Sequence, residues 1–378
     1  MKIAYFNAML AKGHDGVTRV VYRMIDGALA RHHEAIAISA TIPTEEERMV
    51  DFHRVASVAL PWQKIYRIAV PGFQTFAKTL KEFQPDIIHI NSPCTLGFAA
   101  MHYARKFDVP AVATYHTHFP SYAAYYHMRP MEEAMWSILR NLYNHLDRTF
   151  VPSNDILQQL VAHKMRNVEY LPNGIDLNLF GARFRSNAWR ERVGAGDKPV
   201  VLFVSRLVWE KDLRDLAAVY SLLRVRRNDF VMVVVGDGHA RAELEALMPG
   251  AVFLGYQAGE ELATAYASSD IFVFPSTTET FGLVTVEAMA SGLVPVAARV
   301  GGAASIIEEG VSGMFAPAHE PVIMAGNIER LITDPARRAA IAQGAVARAA
   351  LFSWDAILDQ LFARYQDVID AHAAKKKK

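Results

Sequence analysis

Residues 200–213 read VVLFVSRLVWEKDL. The first five are apolar, mostly β-branched and without polar alternation, which is the pattern of a strand buried on both faces. Such a strand belongs to a parallel sheet covered by helices. Charge arrives where the chain must leave the sheet, with Arg206 at the strand exit and Lys211 opening the helix that follows. Open α/β sheets bind ligands at the carboxyl ends of their strands, so two cations there mark a candidate diphosphate site, Arg offering a planar fork and Lys a point charge.

The same signature recurs on either side. FVMVVVGDG (230–238), AVFLGY (251–256), DIFVFPS (270–276) and VPVAAR (294–299) complete one set of strands. KIAYFNA (2–8), EAIAIS (34–39), DIIHI (86–90), AVATYH (111–116) and RTFVPS (148–153) make another, each separated from the next by a helical pattern. Pro172, Asn173 and Gly174 mark a turn between the sets. The expected fold is α/β: two facing Rossmann-like, doubly wound parallel-sheet domains with a cleft between them, the first over 1–172 and the second over 173–353. The segment 354–378 holds Trp354, Leu358, Leu361 and Tyr365 at helical spacing, predicting a terminal helix that packs back on the first domain, followed by a basic tail.

The chain has 378 residues, 52% of them hydrophobic, enough for two cores. Forty Lys and Arg against thirty-nine Asp and Glu exclude a globally basic nucleic-acid binder, so any anion site must be local. The single cysteine, Cys94, rules out an internal disulfide framework and fits a reducing compartment, so the expected location is cytoplasmic. The start MKIAYFNAML is soon interrupted by KGHDG and reads as a first strand rather than a signal peptide, and no window is apolar enough to span a membrane.

Residues 275–292, PSTTETFGLVTVEAMASG, set Glu279 and Glu287 eight positions apart around Gly282. Eight residues of helix rise about 12 Å, beyond the roughly 5–9.5 Å at which paired carboxylates serve one glycosidic bond. The acids therefore suit different parts of one long ligand. Gly282 at a helix start offers free N–H groups and the positive end of the dipole to a phosphate. With a diphosphate there, Glu279 would accept from sugar hydroxyls on one side and Glu287 from ribose hydroxyls on the other.

Together with VVVGDG, FLGY, YASSDIFVFPS and VPVAARVGG, these stretches resemble the donor half of retaining GT-B glycosyltransferases, specifically glycosyltransferase family 4, over most of residues 198–315. The resemblance implies a hexosyltransferase that takes a nucleoside-diphosphate sugar, a UDP-sugar or GDP-mannose, without cofactor or obligatory metal. It assigns the donor sugar to Glu279, the ribose to Glu287, the diphosphate to Arg206 and Lys211, and a backbone phosphate cradle to Phe281, Gly282, Leu283 and Val284. In the first half, DGVTRVV (15–21) looks like the family's glycine-rich loop, with Asp15 in the first glycine place and Gly16 in the second. TYHTHFPSYAAYY (114–126) implies that His116 touches the donor sugar while His118, Tyr122 and Tyr126 line the acceptor side. His116 and His118 alone lack the further ligands a metal needs.

The His-Thr-His run and MEEAMWSILRNLYNHLDRTFVPS are similar to sulfoquinovosyl-diacylglycerol synthases and related mannosyl- and glucosyltransferases that build glycolipids, which implies a lipid or glycolipid hydroxyl such as diacylglycerol as acceptor. A second hint is local. Trp62, Tyr66, Phe73, Phe76 and Phe83 mingle with Lys64, Arg67, Lys78 and Lys81, as a helix lying on an anionic bilayer requires; the alternative is an ordinary core face. Peripheral membrane attachment is thus one expectation. A polysaccharide or soluble acceptor, a nucleotide-sugar 2-epimerase and a non-catalytic two-lobed binding protein are the competing readings.

Overall fold

The computed structural model describes residues 1–10, 16–41, 43–44, 49–60, 63–70, 74–117, 120 and 129–376. They form two compact units, Met1–Gly174 with Trp354–Lys378, and Ile175–Ser353.

The second unit is a six-stranded parallel sheet of β10 (Val200–Val204), β11 (Val231–Val235), β12 (Val252–Gly255), β13 (Ile271–Phe274), β14 (Val294–Ala298) and β15 (Met314–Ala316). Its order is β12-β11-β10-β13-β14-β15. The chain winds outward from β10 in one direction, then returns and winds outward in the other. The order therefore reverses between β10 and β13, the kind of position at which open α/β sheets generally bind ligands. Val200–Phe203 are fully buried, as a continuous apolar run requires of a strand covered on both faces.

The first unit is built on the same principle. Its sheet holds β1 (Lys2–Asn7), β2 (Glu34–Ser39), β3 (Asp51–Arg54), β6 (Ile87–Ile90), β7 (Ala111–Thr114), β8 (Arg148–Val151) and β9 (Val168–Tyr170), all parallel, in the order β3-β2-β1-β6-β7-β8-β9. The reversal falls between β1 and β6. The helix Trp354–Lys376 belongs to this unit and buries Leu358, Leu361, Phe362 and Tyr365 beside Ile3, Tyr5, Val21 and Ile25. Its polar anchors include His89, whose Nδ1 pairs with the Tyr365 hydroxyl, and Arg364, which pairs with Glu169 at 2.5 Å.

The stretch from Trp62 to Lys81 is not one helix. Ser57–Leu60 (β4) and Gln63–Ala69 (β5) form an antiparallel hairpin, and a separate helix runs Gln74–Phe83. Pro61 and Pro71 bracket the second strand and deny a continuous helix its N–H donors. Phe76 and Leu80 are fully buried, Phe76 lying edge-on to Phe6 with centroids 5.4 Å apart, so this face of the helix is core. Trp62 and Phe73 lie outside the described residues. Lys375 and Lys376, which by sequence begin a solvated tail, end the last helix, and Lys376 Nζ lies 2.7 Å from Asp108 Oδ2.

Candidate functional site

In the second unit the two loops at the strand-order reversal carry the candidate residues. Arg206 follows β10, is exposed, and its side chain has no partner among the described residues. The glycines of VVVGDG shape its loop. A Cβ on Gly236 would overlap Ser205 O and one on Gly238 would overlap Leu207 O, so the chain after β11 lies directly on the backbone that presents Arg206. Leu207 N donates to Asp237 O at 2.9 Å across that contact.

Lys211 sits in a single 3₁₀ turn, Trp209–Lys211, before the helix Leu213–Arg226 rather than in it. It is 7% exposed, and its Nζ lies 2.6 Å from Glu279 Oε1. A buried ammonium needs a countercharge, and here the carboxylate expected to serve the sugar supplies it. Lys211 and Glu279 are thus one paired unit. An arriving diphosphate would compete with Glu279 for the lysine, and a sugar hydroxyl would find the carboxylate already oriented.

The loop from β13 to the helix Leu283–Ala290 is held from below. Gly302 N donates to Glu279 O at 3.0 Å, and a Cβ on Gly302 would overlap the Phe281 carbonyl. Phe281 is buried against Phe352, with ring centroids 5.8 Å apart. Gly282 has φ +89°, left-handed backbone that favours glycine, and it is the residue preceding the helix. Thr285 N donates to Gly282 O, so the N–H groups of Leu283 and Val284 precede the first helical bond. This is the donor array an anion requires.

The helix spans Leu283–Ala290 only, so helical rise does not set the distance between Glu279 and Glu287, contrary to what the eight-residue spacing suggests. Glu279 belongs to the loop. Glu287 lies inside the helix, is 6% exposed, and accepts from the Tyr266 hydroxyl at 3.0 Å. It is not a solvated helix residue.

In the first unit, His116 follows β7. Its Nε2 lies 3.0 Å from Asn91 Oδ1, at the end of β6 beside the reversal. His116 keeps partial exposure, yet the protein packed around it pushes its pKa down to about 3 by desolvation, so the ring is neutral at physiological pH. Gly16 begins the helix Gly16–Ala30, and a Cβ there would meet nothing within 4 Å. Neither packing nor a positive φ demands glycine at that position. Asp15, His118, Tyr122 and Tyr126 lie outside the described residues.

Several contributors carry no signal in the sequence: Asn91 beside His116, Tyr266 on Glu287, Gly302 under the Glu279 loop, and Asp212 with Thr277. Asp212, Tyr266, Thr277 and Gly302 fall in the quoted stretches, but their partners are set by tertiary contact. Asp212 Oδ2 accepts from Thr277 N at 2.8 Å and from Thr277 Oγ1 at 2.9 Å.

Residues 14–179 match the family described as Glycosyltransferase Family 4, and residues 186–348 match Glycosyl transferases group 1. The chain is 34% identical over 361 residues to a GDP-mannose-dependent alpha-mannosyltransferase of Mycobacterium tuberculosis, covering 94% of this chain and 93% of the relative. It is 41% identical over 261 residues to a sulfoquinovosyl transferase of Arabidopsis thaliana, covering 67% of this chain and 50% of the relative. Among solved structures it resembles the sucrose-phosphate synthase of Thermosynechococcus elongatus, with a TM-score of 0.80 at 22% identity over 98% of this chain and 99% of that one.

Proposed function

Because this chain belongs to glycosyltransferase family 4 and has the two parallel-sheet domains of a GT-B enzyme, we propose that it is a retaining mannosyltransferase that uses GDP-mannose and a lipid or glycolipid hydroxyl. The observation that carries the donor is the likeness to the GDP-mannose-dependent enzyme along 93% of that relative's length. A second reading, transfer of sulfoquinovose or another UDP-bound hexose, rests on the higher identity to the sulfoquinovosyl transferase over a shorter span.

The chemistry follows from where charge develops. As the glycosidic bond breaks, negative charge grows on the leaving diphosphate and positive charge on the anomeric carbon. Arg206, Lys211 and the N–H groups of Leu283 and Val284 are preorganised donors for the first. Glu279, oriented by Lys211, serves the sugar, and Glu287, oriented by Tyr266, serves the ribose. His116, in the first unit, is held neutral and can therefore make a hydrogen bond without carrying a positive charge. Retention requires the acceptor to approach from the departing side and lose its proton to a diphosphate oxygen. No obligatory metal is needed in this scheme, because the cations and backbone donors supply the countercharge.

Purified protein given GDP-mannose, UDP-glucose or UDP-sulfoquinovose with a lipid extract should form a mannolipid, with the α-configuration shown by NMR. A product only from a UDP-sugar moves the assignment to the second reading. Consumption of donor in the absence of acceptor, with conversion to its epimer, replaces transfer by epimerisation. Turnover should survive EDTA; loss restored only by a divalent cation overturns the metal-free scheme.

A further inference from the structure

We propose that Asp212 is a positioning residue for sugar transfer: its carboxylate ties the loop that carries Glu279 to the turn that carries Lys211. The inference rests on the reading of Glu279 as the donor-sugar contact.

Three features of Asp212 conflict with an ordinary role in its own helix. It is the residue before the helix Leu213–Arg226, where an aspartate usually caps a backbone N–H of the first turn, yet it makes no such bond. Its backbone sits at φ +53°, ψ +42°, the left-handed region that glycine adopts without cost and other residues enter at a penalty. Its Oδ2 instead accepts from both donors of Thr277, the backbone N and Oγ1. Helix cap and relaxed backbone are both given up for one contact across 65 residues of sequence.

That contact lies between the two groups that matter. Asp212 is next to Lys211, Thr277 is two residues from Glu279, and Lys211 Nζ meets Glu279 Oε1 at 2.6 Å. A second tie, Thr278 Oγ1 to Glu210 O at 2.8 Å, runs beside the first. The loops leaving β10 and β13 are thereby tied together where the strand order reverses. Asp212 and Asp215 also approach His319, with His319 Nδ1 2.9 Å from Asp215 Oδ2. Asp212 Oδ2 is already taken up by Thr277, so its role is anchoring. Small misplacements of a positioned group cost large factors in turnover, which makes an anchor of this kind visible in kcat.

The test compares full-length wild type with Asp212→Asn and Asp212→Gly. Asparagine tolerates left-handed backbone and keeps an acceptor oxygen; glycine relaxes the backbone and removes the anchor. The expected result for Asp212→Gly is a Tm near that of wild type, turnover lowered about thirtyfold or more, and GDP affinity within about threefold. Asp212→Asn should retain turnover within about fivefold of wild type. The Thr277 amide should exchange with solvent faster in Asp212→Gly than in Asp212→Asn. Full turnover in Asp212→Gly overturns the proposal, as does an equal loss of turnover and Tm in both variants, which would mark a merely structural carboxylate. If wild type transfers from no nucleotide sugar, the functional reading fails instead. Thr277 exchange then decides the anchor alone, and unchanged exchange in Asp212→Gly sinks it.

Discussion

Lys211 is the residue on which the two acids divide. It neutralises Glu279 inside the second unit, whereas Glu287 is held by the hydroxyl of Tyr266. Removing Glu279 as alanine would leave the buried Lys211 ammonium with neither countercharge nor acceptor, which generally costs about 3–5 kcal/mol; glutamine also removes the charge but keeps an oxygen for the ammonium, so it is the milder and more informative change. Glu279→Gln should lower kcat at least about tenfold with GDP affinity nearly unchanged, while Glu287→Gln should chiefly weaken GDP. Equal effects on GDP binding by calorimetry would end that division. His116 gives a second residue-scale prediction. Its folded pKa, about 3, lies below the ordinary 6.5, so between those values the unfolded chain takes up a proton that the folded chain refuses. Stability therefore falls as pH drops through 6.5. Between pH 7 and 5 the share of one such histidine is about 2 kcal/mol, an upper figure because His116 is partly exposed. A His116→Gln variant should show a correspondingly shallower loss in urea midpoints over that window. The residue types of this site are legible in sequence, since carboxylates and cations at strand exits are unusual; their partners are not, because Tyr266, Thr277 and Asn91 are ordinary residues until the fold brings them near.

Elements position the site through backbone contact. Gly282 and Gly302 separate two reasons for glycine. Gly282 has φ +89°, and a Cβ at that position would have no neighbour closer than 3.5 Å, so Gly282→Ala should cost about 1–2 kcal/mol of conformational strain and leave the loop in place. Gly302 has an ordinary helical φ of −61°, but a methyl there would overlap Phe281 O. Gly302→Ala should therefore displace the Glu279–Phe281 loop, lowering kcat more than Gly282→Ala does while the two destabilise comparably. Denaturation curves and turnover, measured on both variants, check this; a Gly302→Ala enzyme with normal kcat would refute it. Strands are the readily legible elements, because an unbroken apolar run admits few alternatives. The strands Asp51–Arg54, Val168–Tyr170 and Met314–Ala316 are not, being only three or four residues long and lying at sheet edges, too short to show a period. The Ser57–Ala69 hairpin passes for helix in sequence because aromatic and basic residues mingle there at no decisive period.

On the scale of the whole molecule, the chain leaves its first unit at Gly174 and returns to it at Trp354. A Cβ on Gly174 would overlap the Trp354 ring, so the crossing points of the chain are packed together. A chain ending at Ser353 should lose the first unit's cooperative transition, since it uncovers Tyr5, Val21 and Ile25, while residues 175–353 alone should remain folded; calorimetry and limited proteolysis distinguish the two. Among the described residues no helix is long and apolar enough to cross a membrane. Val58 and Ile68, paired across the hairpin, are 63% and 49% exposed, and Lys78 is also exposed. If the first unit meets an anionic bilayer through this surface, charge reversal at Lys64, Arg67, Lys78 and Lys81 should abolish salt-sensitive co-sedimentation with anionic vesicles. Binding by that variant equal to wild type would leave the hairpin and helix as core packing and solvent-facing polarity.

What the sequence determined by itself was the class of fold, the family, and which charged residues and glycines stand at the strand exits of the second unit. These are encoded locally: buried parallel strands need unbroken apolar runs, and an anion site at a strand exit needs charged residues and glycine within a few positions of it. Which carboxylate neutralises Lys211, why Asp212 sits in left-handed backbone, and where the last helix completes a core were decided only by the tertiary structure. Each depends on groups dozens to hundreds of residues apart meeting within hydrogen-bond or van der Waals range, and no short-range pattern in the chain records which distant residues will meet.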